Sequence, residues 1–166
     1  TIKQLSVFVE NKQGRLSEIT GILQDTGVDI RALSLADTTD FGILRLIVDK
    51  EEAAEAALRG AGFTVSLTPV IAIGVSDRPG GLAEAMAVLR DGGIIVEYMY
   101  AFISRRKDTA YVILRVDDNA RAAELVQGAG FSVLREAEAC RMRGESVRVE
   151  RSAPEGLSFR TVRKVG

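Results

Sequence analysis

Two loops of similar sequence contain the residues best suited to bind a small molecule. They are Glu10-Asn-Lys-Gln-Gly-Arg-Leu16 and Ser76-Asp-Arg-Pro-Gly-Gly-Leu82. Each is predicted to join a strand to a helix, where glycine lets the backbone approach a bound group and the first helical amides favour a carboxylate. Asn11 and Asp77, three residues before the glycine, can accept hydrogen bonds from an ammonium group. The pattern favours a zwitterionic ligand, although turn–glycine–helix is also common local structure.

Catalytic chemistry has few candidate residues in this chain. There is no histidine, and Cys140 is the single cysteine. This excludes Ser-His-Asp and Cys-His nucleophiles, histidine acid–base catalysis and imidazole zinc sites. The acidic pairs Asp37/Asp40 and Asp117/Asp118 are interpreted as turn and helix-cap residues rather than metal ligands. The sequence therefore predicts a protein that is not an enzyme and has no metal or cofactor.

The composition and charge of the chain indicate which classes of partner and which cellular compartment to expect. The chain has 166 residues and a net charge of −1, so no overall excess of basic residues favours nucleic acid. No apolar run reaches the roughly 18 residues of a membrane span, and no basic leader with an apolar core is visible. A lone cysteine fits a reducing compartment. These features predict a cytoplasmic protein that binds neither membrane nor nucleic acid.

The sequence contains an internal repeat. Gly14-Arg-Leu16 recurs as Gly80-Gly-Leu82, and Gly60-Ala-Gly-Phe63 recurs as Gly128-Ala-Gly-Phe131. A period this long indicates two copies of one small domain rather than a solenoid of short units. We predict a first domain at 1–68, a second at 69–140, and a basic tail at 141–166 that has at most one edge strand, at 146–150.

Hydrophobic periodicity gives each copy the same order of elements. Period-two alternation predicts strands at 2–9, 28–36 and 41–48 and a fourth from Phe63. Helical spacing starts at Leu16, and an Ala-rich second helix, which Asp49 and Glu52 are expected to cap, ends at Gly60. The resulting βαββαβ order predicts an α+β fold of two ferredoxin-like domains, each an antiparallel sheet with helices on one face. Such small units are expected to share surface.

The two loops, together with Gly27-Val-Asp-Ile30, resemble the ACT domain, a small-molecule-binding regulatory module of amino-acid metabolism. The resemblance covers residues 2 to about 138 and implies a stand-alone tandem ACT protein. It further implies that an amino acid binds between two domains, where the loop of one meets the start of the second strand of the other. It implies a homodimer, and a metabolic enzyme as a partner that is regulated.

The resemblance assigns ligand-binding positions residue by residue. In the first copy they are Asn11, Gln13, Gly14, Arg15, Leu16, Asp29 and Ile30. In the second copy they are Asp77, Pro79, Gly80, Gly81, Leu82, Ile95 and Val96. Gln13 replaces the proline kept as Pro79, and Ile95 stands where the first copy has Asp29. The first copy is therefore expected to bind an amino acid more strongly.

Several alternatives stay open. The length and opening also resemble the regulatory small subunit of acetolactate synthase, but its second half should not repeat the ACT loop. A protein-interaction module without ligand is a further alternative. The same fold binds RNA through strand aromatics, here Phe8, Phe41 and Tyr111, but no basic–Gly–aromatic signature accompanies them. Tyr98, Tyr100 and Phe102 are predicted to lie in a core or interface, and the basic run at 105–107 in a solvated turn.

Overall fold

The computed structural model describes residues 1–37, 41–102, 108–136 and 138. The first half contains β1 (Ile2–Glu10), α1 (Arg15–Asp25), β2 (Ile30–Asp37), β3 (Phe41–Val48), α2 (Glu51–Gly60) and the start of β4 (Val65–Ser76). The second half continues with α3 (Gly81–Asp91), β5 (Val96–Phe102), β6 (Thr109–Val116), α4 (Asn119–Gly128) and β7 (Ser132–Val133). Both halves follow the predicted βαββαβ order.

One strand is shared by the two halves. Residues 65–70 of β4 pair with β1, residues 71–76 pair with β6, and β7 pairs with β4 at 73–74. The sequence predicts two separate strands here, one from Phe63 and one containing Ile71, Ile73 and Val75, whereas the structure continues through Pro69 as one strand. The Pro69 carbonyl accepts from the side chains of Arg115 and Asn119. In antiparallel pairing a residue's amide and carbonyl point to the same side, so the missing amide faces away from β1 and the strand continues.

The sheet order is β2-β3-β1-β4-β6-β5, with the two helices of each half on one face. In the first half Leu5, Val7 and Val9 alternate onto the face that packs against Ile19 and other helical residues. In the second half the equivalent alternating positions of β4 pack against α3 and α4. Burial of these apolar side chains is the main favourable term for each half.

A third apolar cluster lies between the faces that the helices leave uncovered. Its buried members come from five strands and the residue after β7: Ile2, Ala32, Ile47, Val70, Ala72, Tyr111, Ile113 and Leu134. The two halves therefore share a buried surface, as their size predicts. Tyr100 is partly buried and packs against this cluster within the chain. Tyr111 is buried there, so its ring is not available to stack on a base.

Some sequence predictions fall outside the described residues. They concern Cys140, the basic run at 105–107, the tail at 141–166, Asp40, and the side chains of Asp37 and Phe102. Among the helices that the structure describes, none is both long and apolar enough to cross a membrane.

Candidate functional site

Both glycine loops end in the same backbone conformation. Gly14 has φ 86° and Gly80 has φ 91°, in the left-handed region that side chains disfavour, and each immediately precedes a helix, α1 or α3. Neither helix start is capped by a side chain, whereas Asp118 caps α4 by accepting a hydrogen bond from the amide of Arg121 at 3.0 Å. The two loops thus leave the first amides of α1 and α3 without a side-chain cap, in contrast to α4.

The first amides of α1 and α3 are arranged alike. In α1 the Arg15 amide donates to the Lys12 carbonyl at 3.3 Å and the Glu18 amide to the Gly14 carbonyl at 2.9 Å. The amides of positions 16 and 17 lie between these two, at the positive end of the helix dipole. A side chain added at Gly14 or Gly80 would meet no atom within 4 Å, so both loops face open space. This geometry suits a small carboxylate.

Charged side chains surround the first loop. Arg15 forms ion pairs with Glu18 at 2.8 Å and Glu10 at 3.6 Å, and its guanidinium lies 5.0 Å from the ring centre of Phe63. Lys12, by hydrogen bond and charge, and then Arg15 hold the pKa of Glu10 below its ordinary value. Gln13 and Leu16 are exposed. Arg15 is therefore engaged within its own domain in this structure.

The predicted ammonium acceptor Asn11 lies beside β3. Its Oδ1 atom would be 3.7 Å from a Cβ added to Gly42, which also faces the side chain of Leu35 in β2. The loop thus reaches the end of β3 that lies next to the end of β2. Glycine at position 42 leaves room for both neighbouring side chains.

The second loop is packed more tightly than the first. A Cβ on Gly81 would clash with the carbonyl oxygen of Ser76, so the backbone itself requires glycine there. The Asp77 amide donates to the Asp108 carbonyl at 3.1 Å, and Arg78 pairs with Glu84 at 2.6 Å. Pro79 is exposed, and Leu82 packs against the second apolar core. An open groove of about 710 Å³ runs from this loop along α3.

In each copy an aspartate forms two hydrogen bonds with the residue immediately before the second strand. Asp49 Oδ1 accepts from the Asp29 amide at 2.8 Å, and the Asp49 amide donates to the Asp29 carbonyl at 3.2 Å. Asp117 makes the same two contacts with Ile95, at 3.0 and 3.2 Å. The predicted capping role of Asp49 is wrong, because Lys50 precedes α2 and no side chain caps that helix. The Asp49 carboxylate instead accepts a hydrogen bond at the start of the second strand.

Arg31 contacts the predicted site residue Asp29 and is absent from the positions predicted from the sequence. Its side chain is only 7% exposed and lies 2.9 Å from Asp29 Oδ2 and 3.9 Å from Asp49 Oδ2. The second copy has Glu97 at this position, which contacts Arg115 at 3.5 Å. The available signal was the spacing of Asp29 and Arg31, two apart within the strand predicted at 28–36. Asp29 thus has a cationic partner in its own domain, whereas the exposed Ile95 has no charge.

The loop and the strand start do not meet within one domain. Glu10 pairs with Phe41 at one end of β3, and Ile30 pairs with Val48 at the other. A strand rises ~3.3 Å per residue, so the two places are roughly 23 Å apart. The second copy repeats this separation along β6, so Asp77 and Gly80 lie far from Ile95 and Val96 of the same copy. A site built from both places needs two domains.

Metal binding finds no support in the described part of the chain, where no group of three or more Cys, Asp or Glu side chains is placed to hold an ion. The free helical amides that follow Gly14 and Gly80 and the polar side chains Asn11 and Asp77 that precede them are the polar groups of these two loops. In chemical terms this arrangement suits a small carboxylate that also has a cationic group.

Comparisons with known proteins agree with this architecture. Residues 1–142 match the family model of the ACT domain pair. Protein BT0572 from Bacteroides thetaiotaomicron is 35% identical, with a TM-score of 0.79 over 84% of this chain and 96% of its own. The ligand-free regulatory subunit of aspartate kinase from Thermus thermophilus is 15% identical, with a TM-score of 0.60 over 77% and 92% of the two chains, and shares the fold. No match is found among curated proteins. The chain belongs to the ACT domain pair family.

Proposed function

We propose that this chain is a non-catalytic regulatory protein that binds an amino acid where two ACT domains meet. The observation that supports this most is the pair of loops at Gly14 and Gly80. Each presents uncapped helical amides to open space, and each has a polar side chain, Asn11 or Asp77, three residues earlier. A carboxylate would bind the amides, and the ammonium group would bind the side-chain oxygen.

The open edge of β2 supports a homodimer. Among the described strands β2 pairs only with β3, so its outer edge has unpaired backbone groups. Leu33 is 56% exposed and Leu35 is 43% exposed on this strand. An exposed edge with apolar side chains is a template for another strand. We therefore propose that β2 pairs with β2 of a second copy.

Such pairing would complete the site. If two β2 strands pair antiparallel about a twofold axis, the start of one lies beside the end of the other. The end of β2 pairs with Gly42, which is adjacent to Asn11. Asp29 and Ile30 of one copy would then approach the Gly14 loop of the other, which removes the separation along β3. The pairing joins the two places that a single domain keeps apart.

The first copy is proposed as the stronger binder, because it combines Asn11 with Asp29. The second combines Asp77 with Ile95 and has the more rigid loop with Pro79. Because the family match extends through both halves, a tandem protein is favoured over a small subunit of acetolactate synthase. The regulated partner is proposed to be an enzyme of amino-acid metabolism in the cytoplasm, which pull-down followed by mass spectrometry would identify.

The test of ligand binding is a thermal-shift screen of the full chain against the twenty amino acids. A ligand at one hundred times its Kd stabilises the native state by about 2.7 kcal/mol. For a chain of this size, that raises Tm by roughly 5–11 °C. Gly14→Val should abolish the shift, and Gly21→Ala, a change in α1 away from the loop, should keep it. If no amino acid shifts Tm, the chain is better regarded as an interaction module without ligand.

The test of the dimer is light scattering of Leu33→Lys at micromolar concentration. A charge beside the β2 edge should convert a dimer to a monomer. Leu67→Lys is the matched control, because Leu67 is a 40% exposed leucine on β4, away from the β2 edge. A wild type that is monomeric with and without amino acids would contradict the proposed assembly.

A further inference from the structure

A buried polar network crosses the interface where the strands of the first half pack face to face against the strands of the second half. These two sets of strands are called the two sheets below. Gln4 in β1 is 0% exposed. Its Nε2 donates to Ser6 Oγ and to the hydroxyl of Tyr98, both at 2.9 Å. Its Oε1 accepts from the Tyr100 hydroxyl, also at 2.9 Å. Because a carboxamide nitrogen has two donors, this side chain has both of them satisfied, and two of its three partners are in the other half of the chain.

The network extends on both sides of Gln4. Ser6 Oγ is 3.3 Å from Thr68 Oγ1, and the guanidinium of Arg45 lies 3.9 Å from the ring centre of Tyr98. Burial, and next the neighbouring Tyr98, raises the pKa of Tyr100, so its hydroxyl remains protonated and can donate. The surrounding cluster is apolar, so the loss of any partner would leave a polar group without compensation.

The two copies differ at every one of these positions. Aligned through the repeat, Gln4 corresponds to Val70 in the second copy. Tyr98 and Tyr100 correspond to Ala32 and Ser34 in the first copy. The apolar positions that face the helices are instead similar in both copies, such as Leu5 and Ile71. The divergence is thus located on the faces that pack together.

We propose that the Gln4–Tyr98–Tyr100 network makes the first half pair with the second half and disfavours the pairing of two like halves. If two first halves met, Gln4 would face alanine and serine positions in place of both tyrosines. If two second halves met, the tyrosine hydroxyls would face Val70. Buried polar groups can set register and partner choice in this way, since mismatched pairings leave them unsatisfied. The network therefore favours the pairing of unlike halves over the pairing of like halves from two chains.

The test replaces the network with apolar side chains of similar size. Gln4→Met/Tyr98→Phe/Tyr100→Phe keeps the volume of the interface but removes its polar selectivity. Wild type and variant are unfolded in urea, refolded at high protein concentration and separated by size exclusion with light scattering. Wild type should return one mass. The variant should return a several-fold larger fraction of species with greater mass, in which like halves of different chains have paired.

Tyr111→Phe is the matched control, because it removes a hydroxyl from the same inter-sheet cluster but lies outside the Gln4 network. It should refold like the wild type. If the triple variant unfolds non-cooperatively, the double variant Tyr98→Phe/Tyr100→Phe, which keeps Gln4 with Ser6, is measured in the same way. Refolding of the apolar variant to the single mass of wild type would overturn the proposal, whichever oligomer the wild type forms.

Discussion

The close packing of the second loop predicts that glycine-to-alanine substitutions at Gly81 and Gly21 change stability in opposite directions. Gly81 is the first residue of α3, and an added Cβ would clash with the Ser76 carbonyl, a backbone atom that cannot rotate away. Gly21 lies inside α1, and an added Cβ would meet nothing within 4 Å. The same chemical change is therefore expected to have opposite effects on the free energy of unfolding at the two sites.

The magnitudes follow from packing and helix propensity. Overpacking at Gly81 costs about 1–3 kcal/mol, offset by about 0.4–1 kcal/mol because alanine restricts the unfolded chain. Alanine at Gly21 gains about 0.5–1 kcal/mol. A chain of this size changes Tm by roughly 2–4 °C per kcal/mol. We expect Gly81→Ala to lower Tm by several degrees and Gly21→Ala to raise it by about 1–4 °C.

The assay is urea and thermal unfolding of both variants beside the wild type, followed by circular dichroism. The mass of each protein is checked by light scattering, since a change of assembly would shift Tm by mass action. If Gly81→Ala were as stable as Gly21→Ala, the close approach of α3 to Ser76 would not constrain the loop, and the reasoning would be refuted.

Two further expectations concern the aspartates that bind the start of the second strand, Asp49 and Asp117, and the interface between the two sheets. Asp49→Ala and Asp117→Ala should each lower the free energy of unfolding by at least about 0.5–1.5 kcal/mol in urea titrations, because each removes the hydrogen bond to the amide just before the second strand, and Asp117 also loses its bond from the Asp118 amide. A loss in only one copy would contradict their equivalence. Because the pKa of Tyr100 is raised in the native state, its ionisation costs stability as pH rises above about 10, while below that value the contribution is complete. Between about pH 9 and about pH 11, which spans the ordinary tyrosine pKa, the free energy of unfolding of Tyr100→Phe should therefore fall less steeply than that of wild type. Equal slopes of this free energy against pH would contradict burial of the hydroxyl.

The fold could be predicted from the repeat because the apolar pattern is local and occurs twice. Leu5, Val7 and Val9 and their counterparts in β4 alternate along the sequence, which predicted the residues that share one face of each strand. The continuity of β4 through Pro69 could not be predicted, since it depends on which side of the strand lacks an amide. The contact of Gln4 with Tyr98 was equally hidden, because residues 94 apart in sequence leave no local signal.

The candidate site was partly predictable. The glycines at 14 and 80 could be identified because a strand–turn–helix junction favours a left-handed residue. The role of Asp49 was misread, since an aspartate before a helix is typical of a cap. Comparison with the second copy shows the reason. There Asp117 accepts a hydrogen bond from the residue before the strand, and the next residue, Asp118, caps the helix. The first copy has Lys50 at the capping position.

Calorimetric titration of the amino acid found by the screen tests the central proposal most directly. It compares wild type with Asn11→Ala, Asp29→Ala and Asp77→Ala. Loss of a hydrogen bond to a charged group costs about 1.5–3 kcal/mol, or roughly ten- to hundredfold in Kd. The expected result is this loss for Asn11→Ala and Asp29→Ala with a smaller effect of Asp77→Ala. Abolished binding in Asp77→Ala, with normal binding in the two first-copy variants, would contradict the assignment of the stronger site to the first copy.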